Sequence, residues 1–174
     1  RYAEAVAGLV PIDRARVFPV SGGSEAMESA LKMARTYHLA RGETERSVII
    51  ARESSYHGNT RGALDVSGRE PLRRPYEPWL GQTVRVPAVS EYRCPNPAHP
   101  VDCARFHADR LEEAIDATGP ERVAVFVAES IGGATSGAAV PPDGYWEAIA
   151  EVCRRHGVLI LADEVMTGFG RTGE

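Results

Sequence analysis

The residues best equipped for chemistry sit at the ends of short apolar runs. Ser21-Gly-Gly-Ser-Glu-Ala26 joins a β-prone run, Arg16 to Val20, to a helical pattern. Glycines turn tightly in such a loop, and the free backbone N–H groups of a helix start face its mouth, an arrangement that suits a phosphate. The plainer reading, equally open, is that Ser24 caps the helix. The spacing is neither G-x-G-x-x-G nor the P-loop pattern, so the two commonest nucleotide fingerprints are absent. Val158-Leu-Ile-Leu-Ala-Asp-Glu164 ends an apolar run in two acids, at the edge where open α/β sheets bind ligands. Asp163 is therefore a candidate site residue, with capping of the following turn as its alternative. As the metal-binding acids of an NTPase, the same pair would need a phosphate-binding lysine behind a glycine-rich loop, and Lys32 follows Leu31 in mid-helix instead.

Ser54-Ser-Tyr-His-Gly58 follows a strand ending near Ala51, and Glu129 ends the run Val123 to Ala128. Tyr56, His57 and Glu129 thus reach the same sheet edge as Asp163, although each alone serves packing or hydrogen bonding as readily. Cys94, His99, Cys103 and His107 form a C-x4-H-x3-C-x3-H array of zinc-ligand types. That spacing matches no established zinc pattern, and in a proline-rich stretch the four are as readily scattered surface residues, so no metal site is assigned.

The elements that must position these groups alternate. Met27, Ala30, Leu31, Ala34 and Tyr37 recur at helical spacing, and Glu25 and Glu28 put negative charge near the helix start, which predicts a helix from about Glu25 to Arg41. Arg1 to Leu9 has a helical pattern too. Arg16 to Val20 and Ser47 to Ala51 read as short strands. Downstream, helix Arg110 to Ala117, strand Val123 to Ala128, helix Tyr145 to His156 and strand Val158 to Ala162 repeat the alternation. The last two strands are apolar throughout, as expected of strands buried on both faces of a largely parallel sheet. The fold class is α/β. Arg69 to Pro100 holds seven prolines, which predicts an irregular, extended excursion over residues 69–108 within one domain.

Composition narrows the function classes. With 174 residues and 43% hydrophobic content, the chain can bury an ordinary core. Its net charge of −4, with both signs mixed along the chain, argues against a dedicated nucleic-acid or membrane surface and for small-molecule partners or copies of itself. No apolar run approaches the roughly 20 residues of a membrane helix, and Arg1 to Val10 lack a signal-peptide layout. Three cysteines, Cys94, Cys103 and Cys153, make no disulfide framework in a chain this size, so a reducing, cytoplasmic location is expected. Lys32 is the only lysine among twenty basic residues, which matters because several kinds of covalent catalysis need a lysine amine.

Phe18-Pro-Val-Ser-Gly-Gly-Ser-Glu-Ala-Met-Glu-Ser-Ala-Leu-Lys-Met-Ala-Arg35, Tyr56-His-Gly58 and Ala162-Asp-Glu-Val-Met-Thr-Gly-Phe-Gly-Arg-Thr-Gly173 together strongly resemble the class III aminotransferases, in order and spacing over essentially the whole chain. These are fold type I enzymes that use pyridoxal 5′-phosphate, and they include the ω-amino acid transaminases. The resemblance implies that an aspartate at the position of Asp163 pairs with the pyridine nitrogen and keeps it protonated, so that the ring draws electrons from the substrate. It implies that Tyr56 stacks on the ring, that Val165 packs on the opposite face, and that Gly23 and Ser24 receive the phosphate. His57 and Glu129 match positions near the cofactor, without a unique task. Arg171 looks structural as readily as functional, paired with the acids before it.

What the resemblance further implies is a homodimer that moves an amino group from an amine or ω-amino acid donor to a 2-oxo acid by a ping-pong mechanism. A decarboxylating or isomerising enzyme of the same fold, or a non-catalytic truncated paralogue, would carry the same ring contacts. Members acting on ornithine or γ-aminobutyrate have a second glutamate where this chain has Ala134, and Ser130 replaces a usual proline, a departure that leans toward ω-transaminase-like specificity. The family's lysine, which holds the cofactor covalently, lies a few dozen residues beyond the aspartate. Lys32, two turns into its helix and turned from the core, cannot substitute. The chain is thus expected to be an internal piece of the cofactor-binding large domain, inactive alone, without the N-terminal segment, the lysine region or the C-terminal small domain.

Overall fold

The computed structural model describes residues 1–81, 83–133 and 135–173. After a short helix α1 (Tyr2–Ala7) come helix α2 (Gly23–Ala40), strand β1 (Val48–Arg52), and short helices α3 (Arg61–Val66) and α4 (Glu70–Arg73). A 3-10 turn (Arg74–Trp79) leads to strand β2 (Val84–Val86) and helix α5 (Cys103–Thr118). Strand β3 (Val123–Glu129), helix α6 (Tyr145–His156) and strand β4 (Leu159–Asp163) complete the order. The sheet runs β2-β1-β3-β4 with every pairing parallel.

Side-chain alternation divides the core into two layers. Ile50, Phe126 and Ala128 face Leu111 and Ile115 of α5 and Tyr145, Ile149 and Val152 of α6. Ala51, Val125 and Val127 face Met27 and Ala34 of α2 and Ala63 and Val66 of α3. Helices thus cover both faces of the central strands, and the α/β reading holds. β3 is buried along its whole length, as its unbroken apolar run predicts. α6 ends as expected, with Gly157 in the left-handed conformation and three basic residues in its last turn.

Several expectations need correction. Arg16 to Val20 forms no strand: the run has no ladder partners, and Phe18 is 68% exposed. β4 is not buried on both faces but lies at the sheet edge, with Ile160 and Ala162 exposed. On α2 the buried face is completed by His38 rather than Tyr37, because both imidazole nitrogens find acceptors, Glu43 Oε2 at 2.6 Å and the Ala124 carbonyl at 2.9 Å. The proline-rich stretch is more ordered than its composition predicts, since its prolines start short helical turns and leave Val84–Val86 free to pair with β1. α5 also begins earlier, at Cys103. Among the described residues, no helix is long and apolar enough to cross a membrane.

Candidate active site

Parallel strands send all their carboxyl ends to one edge, so the loops after β1, β3 and β4 meet there beside the start of α2. They enclose a cavity of about 510 Å³. Gly23, Ser24, Tyr56, His57, Glu129, Asp163 and Val165, the seven residues predicted from the sequence, all line it. The sequence reading missed Arg69, Leu72 and Thr135, which also line it and carry no motif of their own. It missed Gly58 too, which was findable: a glycine directly after two candidate site residues invites the question of what its missing side chain permits.

Gly58 adopts φ +133, and a Cβ there would fall 2.4 Å from Ser24 Oγ. Only glycine lets the loop after β1 lie against the start of α2. Ser24 is the second residue of that helix. Gly22 occupies the capping position with no side-chain cap bond, and the Ser24 hydroxyl accepts the Asn59 backbone N–H at 2.9 Å. The capping reading of Ser24 is therefore set aside. The first N–H groups of α2 have no partner within the helix. Gly23 brings them close to the loop after β4, where its missing Cβ would sit 3.1 Å from Val165 Cγ2.

Asp163 is almost fully buried and doubly held. His57 Nδ1 lies 2.7 Å from its Oδ2, and the Val165 backbone N–H donates to its Oδ1 at 3.0 Å. A carboxylate only accepts, so His57 carries its proton on Nδ1. The capping reading of Asp163 is realised, since one oxygen caps the turn after β4, and the other oxygen orients an imidazole from a loop 106 residues away. His57 Nε2 is buried, and among the described protein atoms it has no hydrogen-bond partner. A buried polar atom without a partner costs about 1–3 kcal/mol, so the cavity wall is incomplete without a ligand or a water.

Glu129 is buried beside this pair, its Oε1 accepting the Gly133 N–H at 3.1 Å. Burial pushes its carboxyl above the usual range, more than the Gly133 hydrogen bond and the nearby His57 pull it down. Its backbone carbonyl accepts from Arg52, whose guanidinium lies 5.9 Å from the centre of the Tyr145 ring. Tyr56 and Val165 remain 41% and 68% exposed, leaving apolar surface open beside the cavity. Lys32 is exposed on α2 and is not among the lining residues. Ser130 donates to Glu164, and Arg171 forms no ion pair among the described residues. Ala134 lies outside the described residues.

Away from this edge, Cys94, His99 and Cys103 converge while His107 does not. His107 packs its ring edge-on between Phe106 and Tyr145, where burial pushes its pKa down to about 4. Hydrogen bonding from His99 and Asn96 holds the Cys103 thiol below its ordinary range.

The profile of the family Aminotransferase class-III matches residues 1–174. A probable aminotransferase of Mycobacterium tuberculosis is 40% identical over 98% of this chain and 36% of its own length. The taurine–pyruvate aminotransferase of Rhodobacter capsulatus is 39% identical over 99% of the chain and 37% of its own length. An amine transaminase from an uncultivated Pseudomonas species, solved in its PLP-bound form, superposes with a TM-score of 0.91 at 39% identity, over 99% of this chain and 39% of that one. The chain therefore spans little more than a third of the proteins it matches, and its parallel sheet and flanking helices have the transaminase fold.

Proposed function

The chain belongs to the class-III aminotransferase family, and on that premise we propose that it is the central part of the large domain of a transaminase that uses pyridoxal 5′-phosphate. The full-length protein transfers an amino group from an amine or ω-amino acid to a 2-oxo acid and works as a cytoplasmic homodimer. The name of one relative, the taurine–pyruvate aminotransferase, favours pyruvate as acceptor.

One observation carries the reading: the Asp163 carboxylate, fixed by His57 and the Val165 N–H, lines a cavity that also contains a helix N-terminus. The donors and surfaces fit the cofactor's parts. Its phosphate dianion suits the free N–H groups at the start of α2 and the Ser24 hydroxyl. Its flat ring suits the open surfaces of Tyr56 and Val165. Its protonated ring nitrogen needs a carboxylate, and Asp163 keeps lone pairs free after accepting two hydrogen bonds. His57 fixes which way that carboxylate faces. Glu129 and the unpartnered His57 Nε2 supply polar atoms for the remaining ring substituents. The chemistry the bound cofactor supplies is an electron sink for the bond-breaking step at the amine carbon.

The test uses the full-length protein loaded with pyridoxal phosphate, a panel of amine donors and pyruvate, with alanine formation as readout. At least one donor should give alanine at a rate that Asp163→Asn lowers by about 10²–10³-fold or more. An unchanged rate in Asp163→Asn removes the ring-nitrogen role, and no alanine with any donor removes the transaminase reading.

A further inference from the structure

The proline-rich stretch between β2 and α5 carries a second cavity, of about 290 Å³, lined by Cys94, His99 and Cys103 together with Glu91 and Asp143. Nothing in the proposed reaction uses these groups. We propose that Cys94, His99 and Cys103 bind one zinc ion, through two thiolates and the His99 Nδ1 atom, with the fourth coordination position open to this cavity.

The geometry carries the proposal. Cys94 Sγ and Cys103 Sγ are 3.5 Å apart, His99 Nδ1 is 3.2 Å from Cys103 Sγ, and all three ligand atoms lie within 4.8 Å of one another. Around a tetrahedral zinc ion, with bonds of about 2.3 Å to sulfur and about 2.0 Å to nitrogen, two sulfurs sit roughly 3.7 Å apart and sulfur and nitrogen roughly 3.5 Å. These two separations fall within a few tenths of an ångström of those values, so an ion can enter by small side-chain adjustments. Sulfur and imidazole donors select zinc over magnesium or calcium, which take oxygen.

A further side chain shapes the site. Asn96 lies between the ligands in sequence, and its Nδ2 is 3.5 Å from Cys103 Sγ while also donating to the Val101 carbonyl at 2.7 Å. Its Oδ1 accepts the Ala98 N–H at 3.0 Å, which closes the loop. Asn96 is thus a positioning residue that aims an N–H at the sulfur, as the outer partners of metal ligands do. Cys103 opens α5, where the helix dipole favours a thiolate. Bound zinc would tie the stretch to the helix that packs against β2 and α6, the work that a run of prolines cannot do with backbone hydrogen bonds.

The experiment is metal analysis of the full-length protein purified under reducing conditions, followed by titration of the metal-free protein with Co²⁺ alone. One equivalent of zinc per chain is expected, together with a thiolate-to-cobalt charge-transfer band. Both should be lost in Cys94→Ser and Cys103→Ser and kept in Cys153→Ala, a thiol buried in α6 away from the cluster. Asn96→Ala should weaken cobalt binding by about 10–100-fold. The titration of the unaltered protein decides the matter even where a serine variant fails to fold. No zinc and no charge-transfer band overturn the proposal. So does a band that survives in the Cys94→Ser/Cys103→Ser double variant, or a Cys94–Cys103 disulfide in the reduced protein.

Discussion

The two edges of the sheet are built on opposite terms. At the amino ends of the strands, polar groups find partners inside the chain: Arg46 donates to the carbonyls of Pro120, Val123 and His156 at 3.1, 2.7 and 2.9 Å. Beside it, His38 bridges Glu43 and the Ala124 carbonyl, and Arg35 donates to the carbonyls of Arg46 and Thr44. At the carboxyl ends, His57 Nε2 is buried without a partner, Tyr56 and Val165 stay exposed, and Ser54 and Gly58 hold positive φ. The amino edge spends its polar groups on holding strands to helices. The carboxyl edge keeps some of its own uncommitted, and an uncommitted donor, acceptor or apolar face is what a ligand can satisfy. Stability and binding are thus separable by variants at the two edges, each tested in the full-length protein.

The largest effect should come from the Asp163→Asn exchange already described, which loses turnover by about 10²–10³-fold or more. Its thermal midpoint should change little, because an amide keeps the shape and an acceptor for the Val165 N–H, and His57 meets the amide N–H by carrying its proton on Nε2 instead. If Asp163→Asn instead unfolded the protein, the carboxyl edge would be as structural as the amino edge and the contrast would fail. Arg46→Met is the opposite case. It leaves three carbonyls without their donor, at about 1 kcal/mol each, so urea denaturation should show a loss of about 2–4 kcal/mol with kcat near normal. A fall in kcat without a fall in stability would break the comparison from the other side.

Ser24→Ala should have a smaller effect, read mainly in cofactor binding, because the exposed Asn59 N–H that the hydroxyl accepts can turn to water. A hydrogen bond to a charged group is worth about 1.5–3 kcal/mol, so the dissociation constant for pyridoxal phosphate, read by titration of its absorbance, should rise about 10–100-fold. An unchanged constant would place the phosphate on backbone N–H groups alone.

How much of this was legible before the structure depends on the range of the interaction. The carboxyl-edge site was readable because parallel topology sends every strand end to one place, so Gly23, Tyr56, Glu129 and Asp163 could be grouped without knowing any distance. The task of His57 was not readable, because its bond to Asp163 joins residues 106 apart and no local pattern encodes such a pairing. Arg46 was missed for the same reason: its acceptors are backbone carbonyls, which leave no trace in sequence. β2 was missed because three residues among prolines give too little alternation, and Arg16 to Val20 was overcalled because β-propensity does not supply a ladder partner. The Cys94, His99, Cys103 and His107 array was visible in sequence, but which of its members converge was not, since short-range turns held by Asn96 decide whether such an array closes.

Glu129→Gln gives the smallest effect and the finest test of the carboxyl edge. Burial raises the Glu129 carboxyl above its unfolded value of 4.5, so between that value and the raised one the folded state holds a proton that the unfolded state has released. Stability then falls as pH rises through this window, and it is fully present below it. Glutamine cannot titrate, so Glu129→Gln should flatten that part of the stability–pH curve. It should leave stability at the acid end almost unchanged, because the protonated acid and the amide both pair with Gly133. The measurement is urea denaturation at a series of pH values from 4 upward on the metal- and cofactor-free protein. A bound cofactor that paired with Glu129 would shrink the same slope, so comparing the free and loaded proteins shows whether this carboxyl is among the groups that the carboxyl edge holds open for its ligand. An identical slope in Glu129→Gln and the unaltered protein would remove Glu129 from that set and assign it to the structural work of holding Gly133.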